Sequence, residues 1–237
     1  MTQLRVAICI PSGDEWKADF AYDLSAMLLH TCSRAEGLAI GLFNRRLSVL
    51  PTARNHLVRD ACTTGAHYLL FLDSDMRFPP DTLLRLLSHK QDIVAANCVL
   101  RAFPTRATAW ADGAHVFTND GSTGLEEVES IGTAVMLIDT KVFQKMEPPF
   151  FFFEPKPNDK LSFLGEDQFF CREARAKGFK VFIDHDLSQS VAHVGTLAYT
   201  HPMAVACRDK TPVLLNGLNL NTSTSAPAVV KEERNVA

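Results

Sequence analysis

The chain has 237 residues and a mass of 26.2 kDa, is 46% hydrophobic and 22% charged, and has a formal net charge of −3. This length suits one domain with a sizeable core, and the average composition excludes collagen-like repeats, coiled coil and disorder for the bulk of the chain. The slightly acidic balance argues against a duplex-binding protein, which would normally present a basic face.

Signals for secretion or membrane insertion are missing from the sequence. The first ten residues have no basic n-region, and their short apolar run ends at Pro11, which favours a first strand over a signal peptide. No stretch approaches the roughly 18–20 apolar residues that span a bilayer. The six cysteines include no C-x-x-C pair, and most lie in apolar segments, as reduced core cysteines do. We therefore expect a cytoplasmic protein.

Apolar patterns in the first half of the chain alternate between the periods of strands and helices. This alternation predicts an α/β fold whose parallel sheet is covered by helices. The predicted strands cover residues 5–10, 39–43, 67–72 and 92–98, and the predicted helices cover residues 15–33, 54–63 and 82–88.

The second half is less regular, and we predict strands over residues 134–138 and 179–183 and a helix over residues 165–177. Residues 148–160 hold four consecutive phenylalanines followed by prolines, which predicts a loop in which at least two phenylalanines fill the core. Beyond about residue 217 the apolar period is lost, which predicts disorder. We expect one domain over residues 1–205 and a C-terminal extension over residues 206–237.

Two carboxylates directly follow the predicted strand at residues 67–72, in the segment Asp73-Ser74-Asp75. Ligands of open parallel sheets bind outside the carboxyl ends of the strands. Carboxylate oxygens suit hard cations such as Mg²⁺ and Mn²⁺. The alternative is that both aspartates only cap the turn, but their position at a strand end favours a ligand site.

Further candidate residues have an ordinary structural reading beside the functional one. Arg54, near the start of a predicted helix, indicates phosphate or ribose recognition or else a solvated surface arginine. Glu166 and Asp167 open the late helix, either as complements of its dipole or with one of them as a general base. His193 suits a structural role unless it faces Asp75, where an imidazole could join a Mn²⁺ site.

Taken together, these segments and their order along the chain resemble a GT-A type glycosyltransferase, close to the family-2-like and bacteriophage-type enzymes. The resemblance covers residues 5 to about 196. Its motifs are Ile10-Pro11-Ser12, Ala53-Arg54-Asn55, Leu70-Phe71-Leu72-Asp73-Ser74-Asp75-Met76, Phe78-Pro79-Pro80, the segment 132–138, Gly165-Glu166-Asp167 and His193-Val194-Gly195.

The resemblance implies a single-domain GT-A (Rossmann-like) fold with a mostly parallel central sheet and helices on both faces. It implies metal-dependent transfer of a sugar from a nucleotide-diphosphate sugar, a UDP- or GDP-sugar, to a glycan or other hydroxyl acceptor. The implied cofactor is Mn²⁺ or Mg²⁺. The transmembrane helices and Q-x-x-R-W-type motif of processive synthases are not in the sequence, so we expect a soluble enzyme without a nucleic-acid partner.

The resemblance also implies where the nucleotide would bind. Pro11 and Ser12 would hold the base, and Arg54 and Asn55 would lie near the ribose and the diphosphate. The segment 132–134 would border the donor sugar and the acceptor.

For the metal and the chemistry, the resemblance implies a D-x-D motif formed by Asp73, Ser74 and Asp75. Asp73 and Asp75 would bind the metal, Asp75 more directly, and His193 would join them. Asp167, beside Glu166, would take the position of an inverting base. A retaining enzyme would use Asp167 only to orient the acceptor, and both outcomes stay open.

Other classes of protein fit the sequence less well. A nucleotidyltransferase that makes nucleotide sugars would show a glycine-rich, basic loop after the first strand, whereas residues 11–15 are acidic with one glycine. An aspartyl phosphohydrolase would have its nucleophile after the first strand, far ahead of Asp73. A nucleotide-sugar-binding or inactive transferase-like protein stays open, and it would differ from an enzyme by showing no metal-dependent turnover.

Overall fold

The computed structural model describes residues 3–102, 104–157, 159–195, 198–209, 213–215 and 218–220. These residues form seven helices: α1 (Ala18–Arg34), α2 (Leu50–Thr63), α3 (Thr82–Ser88), α4 (Thr140–Lys145), α5 (Glu166–Ala176), α6 (His185–Ser188) and α7 (His201–Arg208). The strands are β1 (Leu4–Ser12), β2 (Leu38–Arg46), β3 (Tyr68–Leu72), β4 (Met76–Arg77), β5 (Ile93–Ala95), β6 (Trp110–Ala111), β7 (Ala114–His115), β8 (Leu125–Val128), β9 (Val135–Asp139), β10 (Glu154–Lys156), β11 (Asp159–Leu164), β12 (Val181–Asp184), β13 (Ala192–Val194), β14 (Ala198–Tyr199), β15 (Val213–Leu215) and β16 (Leu218–Leu220).

A seven-stranded sheet in the order β2-β1-β3-β9-β5-β12-β8 forms the centre of the fold. The first three of these strands pair in parallel, β9 runs against both of its neighbours, and β12 is parallel to β5 but antiparallel to β8. Only β9 and β8 therefore oppose the common direction. The prediction of a mostly parallel α/β sheet is confirmed.

Helices cover both faces of this sheet, as the nearly continuous apolar strands require. In β1, Val6, Ile8 and Ile10 pack on one face with apolar residues of α1 and α3. Ala7 and Cys9 point to the other face and pack with α2, α4 and α5. The core thus consists of two apolar layers with the sheet between them.

Helix α2 begins earlier than the sequence pattern predicts. Its first residue is Leu50, and Pro51 lies in its first turn, where the missing N–H would have no helical partner. Arg54 is consequently inside the helix and not at its start. The predicted boundary at residue 54 was wrong because the apolar pattern begins only at Leu57.

The predicted loop over residues 148–160 was wrong in its second part, where β10 and β11 form an antiparallel hairpin. Its proline at residue 155 fits an edge strand, which needs fewer N–H donors. The expectation that two phenylalanines fill the core is confirmed. Phe151 is fully buried and Phe150 packs against the core, whereas Phe152 and Phe153 are exposed.

Helix α7 crosses the predicted domain boundary at residue 205. The predicted disorder from about residue 217 falls on β16 and otherwise on residues outside the described ones. Among the described residues, no helix combines the length and the apolar composition needed to cross a membrane.

Candidate active site

The D-x-D segment lies at the carboxyl end of β3, where the sequence predicts a ligand site. The backbone N–H of Asp73 donates to the carbonyl of Ala134, 2.9 Å away, so that the segment 132–134 is held beside the two aspartates. The carbonyl of Ser74 accepts a hydrogen bond from the backbone of Lys17. These two backbone hydrogen bonds therefore fix the turn at the carboxyl end of β3.

A small second sheet brings His193 to Asp75. Strand β4 follows the D-x-D segment and pairs with β13. In this pairing His193 lies opposite Met76. The backbone N–H of Val194 donates to the carbonyl of Asp75 over 2.8 Å. As a result, His193 Nε2 lies 3.2 Å from Asp75 Oδ2. His193 therefore faces Asp75, as a role in a metal site requires.

The charges of Asp75 and His193 support each other. Burial opposes ionisation of Asp75, but the hydrogen bond from His193 and the charges of His193 and Arg101 outweigh it and lower the pKa of Asp75. Burial likewise opposes the charged form of His193, and Asp75 outweighs it, which raises the pKa of His193. Both shifts therefore favour the charged forms of the two residues.

The residues present fit the divalent metal that the GT-A resemblance implies. His193 Nδ1 is 3.0 Å from the carbonyl of Val99, which can only accept, so Nδ1 is the donor and Nε2 is the atom turned toward Asp75. Such a partner behind a histidine is typical of metal ligands. The described residues contain no group of three or more metal-ligating side chains. Two protein ligands completed by substrate phosphates and water are usual for Mg²⁺.

Arg54 lies beside the D-x-D segment as a buried cation between two carboxylates. Its Nη2 is 3.1 Å from Asp73 Oδ1, and its Nε is 3.4 Å from Glu166 Oε1. The guanidinium also lies 5.7 Å and 5.9 Å from the ring centres of Phe71 and Phe151. The reading of Arg54 as a solvated surface residue is therefore wrong. With its fork facing two carboxylates, its contact with ribose or diphosphate remains a prediction.

Glu166 and Asp167 are brought to the same edge by the first turn of α5. Burial raises the pKa of Glu166, although the charge of Arg54 works against this. Burial also raises the pKa of Asp167, and the negative charge of Asp73 adds to it. Asp167 Oδ1 accepts from the backbone of Gln168.

Gly165 leaves the space that the Asp167 carboxylate occupies. A Cβ at residue 165 would lie 2.7 Å from Asp167 Oδ1, closer than real Cβ contacts allow. A side chain at residue 165 would therefore have to displace this carboxylate.

The remaining predicted nucleotide-binding residues are Pro11, Ser12 and Asn55. Pro11 and Ser12 end β1 at the same edge, and Ser12 Oγ accepts from Asn44 Nδ2 over 2.9 Å. The amide of Asn55 donates to the carbonyls of Pro51 and Phe151 and accepts from the backbone of residues 150 and 151. All four of its hydrogen-bonding positions hold protein groups, so its contact with the nucleotide remains a prediction.

The sequence analysis missed Arg101, whose Nη1 lies 2.5 Å from Asp75 Oδ2. Arg101 is in the connection that follows β5. A basic residue after a strand end was the only available signal, and it has no motif of its own.

Comparisons with known proteins agree with this arrangement. Residues 39–112, which include α2, the D-x-D segment and all of β2 but its first residue, match the family model Anp1. No curated protein matches the chain.

Three solved structures are similar to the chain. A197 from STIV is 14% identical with a TM-score of 0.56, over 84% of this chain and 91% of that one. A Drosophila β-1,4-galactosyltransferase 7 mutant in complex with manganese, UDP-Gal and xylobiose is 15% identical with a TM-score of 0.48, over 81% and 71%. TarS from S. aureus is 14% identical with a TM-score of 0.42, over 76% and 57%.

The likeness to A197 is a likeness of fold, and it agrees with the α/β architecture that the GT-A resemblance implies. The Anp1 match, over 74 of the 237 residues, supports a glycosyltransferase. The resemblance that the sequence motifs indicated is thereby confirmed.

Proposed function

We propose that this chain transfers a sugar from a UDP- or GDP-sugar to a hydroxyl acceptor in a metal-dependent reaction. The observation that supports this most is the contact of His193 Nε2 with Asp75 Oδ2 at the carboxyl end of β3. The two residues are 118 positions apart, yet they meet beside Asp73, where an open sheet binds its ligands.

In this proposal Asp75 and His193 hold the metal, with Asp73 beside them. The carbonyl of Val99 keeps the imidazole ring in orientation. Arg54 neutralises Asp73, so that the D-x-D segment keeps one fixed arrangement. A bound Mn²⁺ or Mg²⁺ supplies Lewis-acid stabilisation of the charge that develops on the leaving diphosphate.

Asp167 is the proposed general base. Its pKa is raised by burial and by the charge of Asp73, which makes its carboxylate a stronger base than an exposed aspartate. It would take the proton from the acceptor hydroxyl. Glu166 faces Arg54 and acts as a positioning residue that holds the guanidinium in place.

A thermal-shift series with UDP and GDP, each with and without Mn²⁺, tests the proposal. A ligand bound only by the folded state stabilises it by about 2.7 kcal/mol at a hundredfold excess over its dissociation constant. We expect one nucleotide to raise the melting temperature with Mn²⁺ and not without it, and Asp75→Ala to abolish that shift. No shift with either nucleotide, or the same shift without Mn²⁺, would contradict the proposal.

A further inference from the structure

The connection after β5 touches the candidate metal site at two points. It is closed on itself by the bridge between Val99 and Ala107 and by the hydrogen bond from the backbone of Leu100 to the carbonyl of Arg106, 2.9 Å long. Its carbonyl at Val99 holds His193, and its side chain at Arg101 reaches Asp75. The connection therefore lines one side of the candidate metal site.

Arg101 and His193 share one oxygen atom. Arg101 Nη1 lies 2.5 Å from Asp75 Oδ2, and His193 Nε2 lies 3.2 Å from that same Oδ2. Nη1 also lies 3.3 Å from the carbonyl of Val194. The guanidinium is thus a cationic partner of the same oxygen that faces the imidazole, and a divalent cation bound by Asp75 and His193 would compete with it for this oxygen.

We propose that Arg101 is an exchangeable cation of this site, which holds Asp75 in the metal-free chain and moves to the donor diphosphate when the metal binds. This inference rests on the proposed function, since it takes the metal and the diphosphate from it. Arg101 is then a donor-binding residue and not only a surface partner of Asp75.

The exposure of the pair makes such an exchange feasible. The Arg101 side chain is 45% exposed, whereas that of Asp75 is 23% exposed. Ion pairs with this exposure are weak, so a metal can displace the arginine at a modest cost in affinity. The released guanidinium fork matches the oxygens of a phosphate.

The exchange couples the metal and the nucleotide. Without nucleotide, the metal must displace Arg101 from Asp75 and leave the guanidinium without a carboxylate partner. With nucleotide, the displaced arginine gains the diphosphate as a new partner, so each ligand strengthens binding of the other, and this coupling is reciprocal.

The test compares the wild type, Arg101→Ala and the control Arg106→Ala, which removes an exposed positive charge from the same connection. Mn²⁺ binding is measured first without nucleotide, by electron paramagnetic resonance of the free ion. We expect Arg101→Ala to bind Mn²⁺ about two- to fivefold more tightly than the wild type, the range of one part-exposed ion pair. Arg106→Ala should stay within twofold of the wild type.

Binding of UDP and GDP at saturating Mn²⁺ is measured next by calorimetry. We expect Arg101→Ala to bind the preferred nucleotide more weakly than the wild type, in contrast to its tighter binding of Mn²⁺ alone. This opposite change in the two affinities is what a merely structural ion pair would not produce.

Equal Mn²⁺ affinities of the wild type and Arg101→Ala would overturn the inference and leave the proposed function intact. Unchanged nucleotide binding by Arg101→Ala would do the same. Mn²⁺ binding by neither protein in the absence of nucleotide would overturn the inference alone, because the proposed function needs Mn²⁺ only together with the nucleotide, whose phosphates complete the site.

Discussion

Arg54 Nη2 lies 3.1 Å from Asp73 Oδ1, in an ion pair whose arginine side chain is only 3% exposed. The pair connects the second turn of α2 to the first aspartate of the D-x-D segment. Burial opposes the charge of Arg54, but the carboxylates of Asp73, Glu166 and Asp167 outweigh it and raise the pKa of Arg54. The candidate site therefore contains a permanent buried cation in contact with Asp73.

Arg54→Met tests the role of this cation. The substitution keeps much of the side-chain volume but leaves the carboxylates of Asp73 and Glu166 without their cation. Removing one partner of a buried pair typically costs about 3–5 kcal/mol, and we expect a loss of that size in the free energy of unfolding, measured in urea.

Arg59→Met is the matched control, because Arg59 lies in the same helix and pairs with Asp60 while 61% of its side chain is exposed. Exposed pairs contribute about 0–1 kcal/mol. Equal losses for Arg54→Met and Arg59→Met would contradict the role given to Arg54.

Asn55 fixes the phenylalanine segment, and Asn55→Asp tests this. Asp would keep the acceptor oxygen for the backbone of Phe150 but lose the donors to the carbonyls of Pro51 and Phe151. We expect faster proteolysis within residues 148–157 than in the wild type, followed by mass spectrometry. Asn55→Ala, which loses both the donors and the acceptor, should be cut at least as fast. An unchanged cleavage pattern in both variants would show that Asn55 does not hold this segment.

Asp167→Asn predicts a pH-dependent gain in stability. Because burial raises the pKa of Asp167 in the folded chain, folding favours its protonated form, and this contribution is fully present below the ordinary carboxyl pKa and lost as pH rises through the folded pKa. The free energy of unfolding of Asp167→Asn should therefore exceed that of the wild type at neutral pH. The difference should shrink as pH falls toward about 3.9. A difference independent of pH would mean that burial of the charge is not its cause.

Asp75→Ala and Asp167→Ala should separate binding from transfer. Asp75→Ala removes the residue that faces both His193 and Arg101, so Mn²⁺-dependent nucleotide binding should disappear. Asp167→Ala should bind Mn²⁺ and nucleotide like the wild type and lose transfer. Full transfer activity in either variant would remove the role proposed for that residue.

His193→Ala should weaken the same site less completely than Asp75→Ala. Loss of one preorganised charge contact typically costs about 10²–10³ in rate, and we expect a decrease of that size in the transfer rate at fixed Mn²⁺. Part of the loss should return at higher Mn²⁺, because Asp75 remains. A rate within twofold of the wild type would show that His193 only supports the fold.

Much of the fold follows from the apolar pattern because strands β1 and β3 are continuous apolar runs buried on both faces. The same reasoning places Asp73-Ser74-Asp75 at a strand end. The antiparallel direction of β9 could not be predicted, because an apolar strand buried on both faces looks the same in either direction. The hairpin of β10 and β11 was not predicted, because the prolines at residues 155 and 157 indicated a loop.

The candidate site was predicted where a motif lies directly on a strand or helix end, as with Asp75 and Asp167. The burial of Arg54 was not predicted, because its partners Asp73 and Glu166 come from β3 and α5 and meet only after folding. Arg101 was missed for the same reason, since its partner Asp75 lies 26 residues away on another strand end.

The most direct test of the account is release of nucleoside diphosphate from a panel of UDP- and GDP-sugars, with Mn²⁺ and with the metal chelated. We predict release from one donor class by the wild type with Mn²⁺, and none after chelation or with Asp75→Ala or Asp167→Ala. Release that persists in both variants, or no release from any donor with a panel of sugar acceptors present, would contradict it.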